Sequence, residues 1–337
     1  MVDKLKKSLL WLARLLGRDI RDERTGKTIG RALCLPLPWG TWFIGLPKGL
    51  QPVFLSEPVT RYTKHRLAFR THEEPDYPSL GNEEPTFQRG QLLWALLVHQ
   101  SPKQIHRLIG YWESLGYSRE RILMVHAGDR VDFEELDFPN KVFVEDRDIR
   151  TVFHPMEKQS YGGAFREVAS WLQGRDFKVI AFVEYDHLPL VPDWDERLCA
   201  RLREDKADLL CHHLQRIDGT NASHYLYHLS EPRFSNLWRE CSVREDKGVF
   251  LDAVMTGSAW TRQAFEAVAS RREPFPVYLE LYLPSLAHHL GFRVRGHGDQ
   301  DRFVQVVPIE EPFSKKWMEE GAWSLHQVKN LPTGSLA

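Results

Sequence analysis

Two acidic residues two positions apart, Glu184 and Asp186, are where residue types and spacing in this chain suggest chemistry. They close the stretch Lys178-Val-Ile-Ala-Phe-Val-Glu-Tyr-Asp-His-Leu-Pro-Leu190. The run before them is short, apolar and rich in β-branched and aromatic residues, which reads as a buried strand. Residues two apart in an extended chain face the same side. Glu184 and Asp186 are therefore expected to project together, with Tyr185 facing the other way. Ligands of open α/β sheets bind beyond the C-terminal ends of the strands. Two neighbouring carboxylates repel unless a positive group lies between them, and a hard divalent cation shared with substrate phosphates is the usual one. On the sequence alone, a solvated loop start or a carboxylate paired with an arginine fits the same two residues.

The elements that must position this pair are legible on both sides of it. Leu92–Val98 reads as a first strand, followed by a helix from Pro102 after a Ser101 cap. Arg121–Val125 and Lys141–Val144 read as further strands, ending in His126-Ala-Gly-Asp129 and Glu145-Asp-Arg-Asp148. A helix over 161–173 would place Ala164, Val168 and Leu172 on one face, and the Glu184 strand follows. Asp208–His213, Gly248–Met255 and Phe292–Arg295 read as later strands, and Arg262–Ser270 and Ser285–Gly291 as helices. The alternation predicts an α/β domain with a largely parallel sheet wrapped by helices. Neither a G-x-G-x-x-G after the first strand nor a G-x-x-x-x-G-K-[ST] is present. Residues 19–85 differ: short apolar segments alternate with Gly and Pro, which predicts a small β-rich extension and a linker.

Composition narrows the class further. The chain has 337 residues, enough for one large domain or two. Lys and Arg total 45 against 46 Asp and Glu, so no global field favours nucleic acid. Cys34, Cys199, Cys211 and Cys241 are widely spaced with no C-x-x-C, which argues against a zinc knuckle or disulfide framework and suggests a reducing, cytoplasmic compartment. No run approaches the roughly 18 apolar residues of a spanning helix. Residues 1–18 read as an amphipathic helix, with Leu5, Leu9, Leu12 and Leu16 on one face and Lys7, Arg14 and Arg18 opposite. Such a helix would dock on the protein's own body, or lie peripherally on an anionic inner membrane face.

Taken together, residues 86–330 resemble the GT-A glycosyltransferases, which have a Rossmann-like sheet and use a nucleotide-sugar donor, usually with Mn²⁺ or Mg²⁺. Val183-Glu-Tyr-Asp186 stands where that family has its D-x-D, with Glu in place of the first Asp. Gln159-Ser-Tyr-Gly-Gly-Ala164 opens the preceding helix, a region that contacts the nucleotide in the family. Thr256-Gly-Ser-Ala-Trp260 resembles the segment lining the acceptor side. Trp323-Ser-Leu-His-Gln-Val-Lys329 resembles the C-terminal segment whose His completes the metal shell and whose Lys reaches the diphosphate.

The resemblance implies a hexosyltransferase-like enzyme with Asp186, Glu184 and His326 at the metal and Lys329 at the phosphates. His126, Asp129, Asp146 and Gln159 would line the nucleotide pocket. An inverting reaction needs a carboxylate base for the acceptor hydroxyl, for which Glu280 is the first candidate and Asp252 the second. The acceptor would be a carbohydrate, a lipid-linked group or a protein. His297 stands in reserve as a metal ligand. His224 and His228 lack an H-E-x-x-H frame, and the pairs His212-His213 and His288-His289 point to different sides, so none of these reads as a chelate. Two rival readings use the same residues: a Mg²⁺-dependent nucleotidyl- or phosphotransferase, and a glycosyltransferase-like protein that binds without turnover.

Overall fold

The computed structural model describes residues 90–145, 160–218, 225, 232–271, 279–305, 308–309, 311–312 and 314–329, and the backbone of strands within 18–69. The chain divides into two compact units, residues 1–75 with 215–252, and residues 76–214 with 253–337.

In the first unit, strands β1 (Arg18–Asp22), β2 (Thr28–Leu37), β3 (Gly40–Ile44) and β4 (Ala68–Phe69) form a sheet in the order β3-β2-β1-β4. The β1–β2 and β2–β3 pairs are antiparallel, and the β1–β4 pair is parallel. The later part of this unit packs Tyr225 and Trp238 edge-on against Phe250. There Arg216 forks onto Asp218 at 2.6 and 2.9 Å and reaches Asp246 at 3.0 Å.

The second unit is built on a seven-stranded mixed sheet, mostly parallel and flanked by helices. Its strands are β5 (Leu92–Val98), β6 (Ile122–His126), β7 (Lys141–Phe143), β8 (Val179–Glu184), β10 (Leu209–Arg216), β11 (Leu251–Thr261) and β12 (Val294–Gly296). The order is β12-β10-β11-β8-β5-β6-β7. Strands β5, β6, β7 and β8 run parallel, and β11 runs antiparallel to β8. This is the α/β sheet that the alternation of segments predicts.

Every residue of β5 is buried, as expected for a strand covered on both faces. Period-two alternation sorts the two cores. Trp94, on one face, packs with Trp112, Tyr117 and Trp194, the first two being contributed by helix α1 (Pro102–Ser114) and the loop after it. Phe182, on the other, meets Phe165 of helix α3 (Ser160–Trp171), which also packs on Trp260 and Phe265. Helix α1 starts as predicted: the Gln104 side-chain oxygen accepts from the Ser101 N–H at 3.3 Å and from its hydroxyl at 3.0 Å.

Going from β5 the chain passes to β6 on one side and, later, to β8 on the other. Strands β5 and β8 are therefore the topological switch point, and the crevice beyond their C-terminal ends is the expected ligand site. Glu184 is the last residue of β8. Among the described residues, no helix is long and apolar enough to cross a membrane.

Candidate functional site

Strand β8 stops at Glu184 because the chain turns there, with the His187 N–H donating to the Glu184 carbonyl at 3.0 Å. The carboxylates thus converge through a turn, where the sequence predicts pleat alternation. Tyr185, expected to face the other way, stays beside the pair: its ring is edge-on to His99 at 4.8 Å and 5.7 Å from the Lys329 ammonium. Beyond the turn, the two-residue strand β9 (Leu188–Pro189) pairs antiparallel with β13 (Ser324–Leu325), which carries the C-terminal segment back to the acidic turn. The Tyr111 and Tyr117 hydroxyls donate to the Pro189 and Val191 carbonyls at 2.5 and 2.6 Å, fixing β9 to the α1 side of the core.

His326 is held by its backbone. Its N–H donates to the Phe303 carbonyl at 3.2 Å, and its carbonyl accepts from Gln305 at 2.7 Å. The Val328 N–H donates to the Asp186 carbonyl at 2.8 Å, tying the two segments directly. As a result His326 Nε2 lies 3.6 Å from Asp186 Oδ1 and 3.9 Å from Glu184 Oε2. One ligand atom from each of Glu184, Asp186 and His326 falls within 4.8 Å of the others, a group that could hold a metal ion.

The electrostatics fit that use. Asp186 is 2% exposed, and its Oδ1 has no hydrogen-bond partner among the described residues. Its other oxygen, Oδ2, accepts from the Lys329 ammonium. Burial lowers the Lys329 pKa, but its bond to Asp186, the charge of that carboxylate and Tyr185 outweigh this and hold it above the ordinary lysine range. Burial pushes His326 below the ordinary histidine range, against the pull of Asp186, which favours the neutral ring. Two carboxylates and an imidazole, with one buried oxygen lacking a donor among the described residues, are a group of the kind that could hold a divalent cation.

Other candidates fall elsewhere. His126 ends β6 and is wholly buried, its ring stacked near Phe143 and Phe133 and its Nδ1 accepting from the Gly128 N–H at 3.1 Å. Asp129 is exposed at the N-cap of the short helix α2 (Arg130–Glu135). Asp146, Gln159, His224 and His228 lie outside the described residues, as do residues 1–17. Glu280 stands half-buried in the first turn of helix α4 (Leu279–His289), which passes through Pro284. Asp252 lies at the start of β11, where its Oδ2 accepts from the Gln215 amide at 3.4 Å. His297 stacks on His212 at 4.0 Å and is not one of the three grouped ligands.

The segment Thr256–Trp260 backs the acidic turn. The Thr256 hydroxyl accepts from the Glu184 N–H at 3.0 Å, Ser258 and Trp260 are wholly buried, and the Trp260 indole donates to the Ser258 hydroxyl at 2.9 Å. The residue that sequence reasoning misses is His187, buried between Thr256 and Ser324 and next to Asp186 in the chain. Its adjacency to the acidic pair was the available signal.

No protein-family model matches this sequence, and no curated protein matches it. Among solved structures the chain is similar to the mannosyltransferase PcManGT of Pyrobaculum calidifontis, in complex with GDP-Man and Mn²⁺, at 12% identity. That similarity covers 66% of this chain and 58% of that one, with a TM-score of 0.33. S. aureus TarS, in a structure of residues 1–349, is similar at 11% identity over 62% of this chain and 58% of its own, with a TM-score of 0.34. A mycobacterial protein is similar at 16% identity over 61% and 64%, with a TM-score of 0.32. The chain spans less than two thirds of the length of each.

Proposed function

We propose that this chain is a glycosyltransferase that moves a sugar from a nucleotide-sugar donor to an acceptor hydroxyl, with Mn²⁺ or Mg²⁺ held by Asp186, His326 and Glu184. The observation that carries the reading is the buried Asp186 Oδ1. It has no donor among the described residues, faces His326 Nε2 at 3.6 Å, and follows the strand at the switch point of the sheet. A bound cation would neutralise charge on a diphosphate leaving group as a Lewis acid.

The chain's own residues supply the rest. Asp186 would hold the cation through its unpartnered Oδ1, while its Oδ2 accepts from the Lys329 ammonium. The Lys329 side chain is 41% exposed, so its ammonium is able to swing to a phosphate and act there as a point charge. His126, Asp129, Asp146 and Gln159 are the candidates for the nucleotide. Glu280 is the candidate base that takes the acceptor proton, with Asp252 behind it. The acceptor hydroxyl belongs to a carbohydrate, a lipid-linked group or a protein.

The ion pair between Lys329 and Asp186 favours a second reading, in which Lys329 alone meets the diphosphate and no metal is needed. One experiment separates the readings: donor hydrolysis screened over UDP- and GDP-sugars with Mn²⁺, with Mg²⁺ and with EDTA. Hydrolysis lost in EDTA supports the cation site, and hydrolysis that survives EDTA supports Lys329. Turnover of nucleoside triphosphates in place of nucleotide sugars would make the chain a nucleotidyl- or phosphotransferase. Nucleotide binding without any turnover would make it a binding protein.

A further inference from the structure

We propose that His187 is a positioning residue that joins the turn bearing Asp186 to the segment bearing His326 and so sets the spacing of the cation ligands. The proposal rests on the cation reading above. His187 is wholly buried, and each ring nitrogen faces a hydroxyl. Nδ1 lies 3.2 Å from Thr256 Oγ1, and Nε2 lies 2.8 Å from Ser324 Oγ. Thr256 belongs to β11, and Ser324 to β13, two residues before His326. Thr256 Oγ1 also accepts from the Glu184 N–H at 3.0 Å. One imidazole therefore spans three elements, and the contacts at its two ends lead to all three grouped ligands.

An imidazole suits this task. It is rigid, and its two nitrogens point outward from different edges of one plane. A hydroxyl donates or accepts as required, so a neutral ring is satisfied at both ends in either tautomer. The ring is closely packed. A Cβ at Gly257 would lie 2.3 Å from its Cε1 and 2.9 Å from its Nδ1, and the rings of Trp194, His326 and His212 pack around it at 5.2, 5.6 and 5.7 Å. The backbone ladder between β9 and β13 is only two residues long, so the side-chain bridge adds a constraint that the ladder lacks. Groups that orient metal ligands from behind typically change metal affinity about 10–100-fold when removed.

The test measures Mn²⁺ binding by electron paramagnetic resonance in the presence of GDP or UDP, with a melting temperature for each variant. Thr256→Val and Ser324→Ala delete one hydroxyl each with little change of shape. Thr256→Ser and Ser324→Thr keep it. Each deletion is expected to weaken Mn²⁺ binding about tenfold or more, with the conservative variants restoring it. The double deletion is expected to cost less than the product of the two single losses, because both break one bridge. Should Thr256→Val fail to fold, Ser324→Ala, the loss of one oxygen, carries the test. Deletion variants that bind Mn²⁺ like the wild type overturn the proposal, as do losses that follow melting temperature and are not rescued. A wild-type protein that binds Mn²⁺ no better with nucleotide than without overturns the cation reading and the bridge together. Wild-type enhancement that the variants share overturns the bridge alone.

Discussion

Asp186 Oδ1 and His326 Nε2 face each other at 3.6 Å across two segments that only the fold brings together. The distance is too long for a hydrogen bond, and the oxygen has no other donor among the described residues. A buried carboxylate oxygen without a donor costs about 1–3 kcal/mol or more. On the function proposed above, a cation fills the gap between them.

Asp186→Asn keeps the shape of the side chain and removes its charge. Enhancement of GDP or UDP binding by Mn²⁺ should disappear, and enhancement of Mn²⁺ binding by nucleotide should vanish with it, since the coupling is reciprocal. Stability should change by about 1 kcal/mol or less, because Lys329 is partly exposed and rehydrates while Glu184 loses a like-charged neighbour. Calorimetric titration with and without Mn²⁺ checks this, beside a thermal melt. A variant that keeps the enhancement takes Asp186 out of the site.

Gly257 adopts φ +78° directly against His187. Alanine there meets both a left-handed backbone and a ring that cannot retreat. Gly257→Ala should destabilise the fold by about 2 kcal/mol or more, read from urea denaturation. A cost of a few tenths would mean that the His187 ring moves freely.

His212 and His297 give the protein a pH dependence. Burial holds both well below the ordinary histidine value, with His213 and His326 adding to the shift of His212, and His212 to that of His297. Asp301, 3.0 Å from His212 Nδ1, opposes the shift of His297 and is outweighed. In the unfolded chain both rings titrate near pH ~6.5. Below that pH the unfolded chain holds more protons, so stability falls as pH falls, by up to about 1.4 kcal/mol per pH unit for each ring. The Asp301 carboxyl, raised by burial, works the other way at the acid end. His297→Phe should flatten the profile below pH ~6.5 by one histidine's share. An unchanged slope would show that the ring takes its proton while folded.

Glu280→Gln should lower sugar transfer by about 100-fold or more and leave donor binding intact, as loss of a general base does. Single-turnover transfer and calorimetric donor titration read the two quantities separately. Unchanged transfer would remove Glu280 from the mechanism and turn attention to Asp252.

The parts of this structure legible in the sequence are those set by local pattern. The strands Leu92–Val98 and Val179–Glu184 announce themselves as apolar runs, and Ser101-Pro102 announces a helix start. Where a pattern ends, the reading fails. Alternation predicts that Glu184 and Asp186 converge along a strand, yet the strand ends at Glu184 and a turn brings them together. Pro284 suggests a helix beginning at Ser285, yet the helix begins at Leu279. Its residues from Leu281 to His289 are all buried, and tertiary packing overrides the local signal. The diverging directions of His212 and His213 are legible in the pair itself: one is buried, the other exposed at φ +52°. That His212 meets His297 and Asp301 is not, because those partners come from a distant segment that no periodicity connects.

The short ladder between Leu188–Pro189 and Ser324–Leu325 has a consequence for biosynthesis. The ribosome releases Glu184 and Asp186 with their strand long before His326 and Lys329 emerge. Throughout that interval a nascent chain carries two adjacent carboxylates with neither the histidine nor the ammonium that faces them in the finished protein. The site is thus completed only when residues 326–329 are made, and a translation product stopped before Ser324 would contain the sequence of strands β5 to β8 while lacking two of the four groups gathered there.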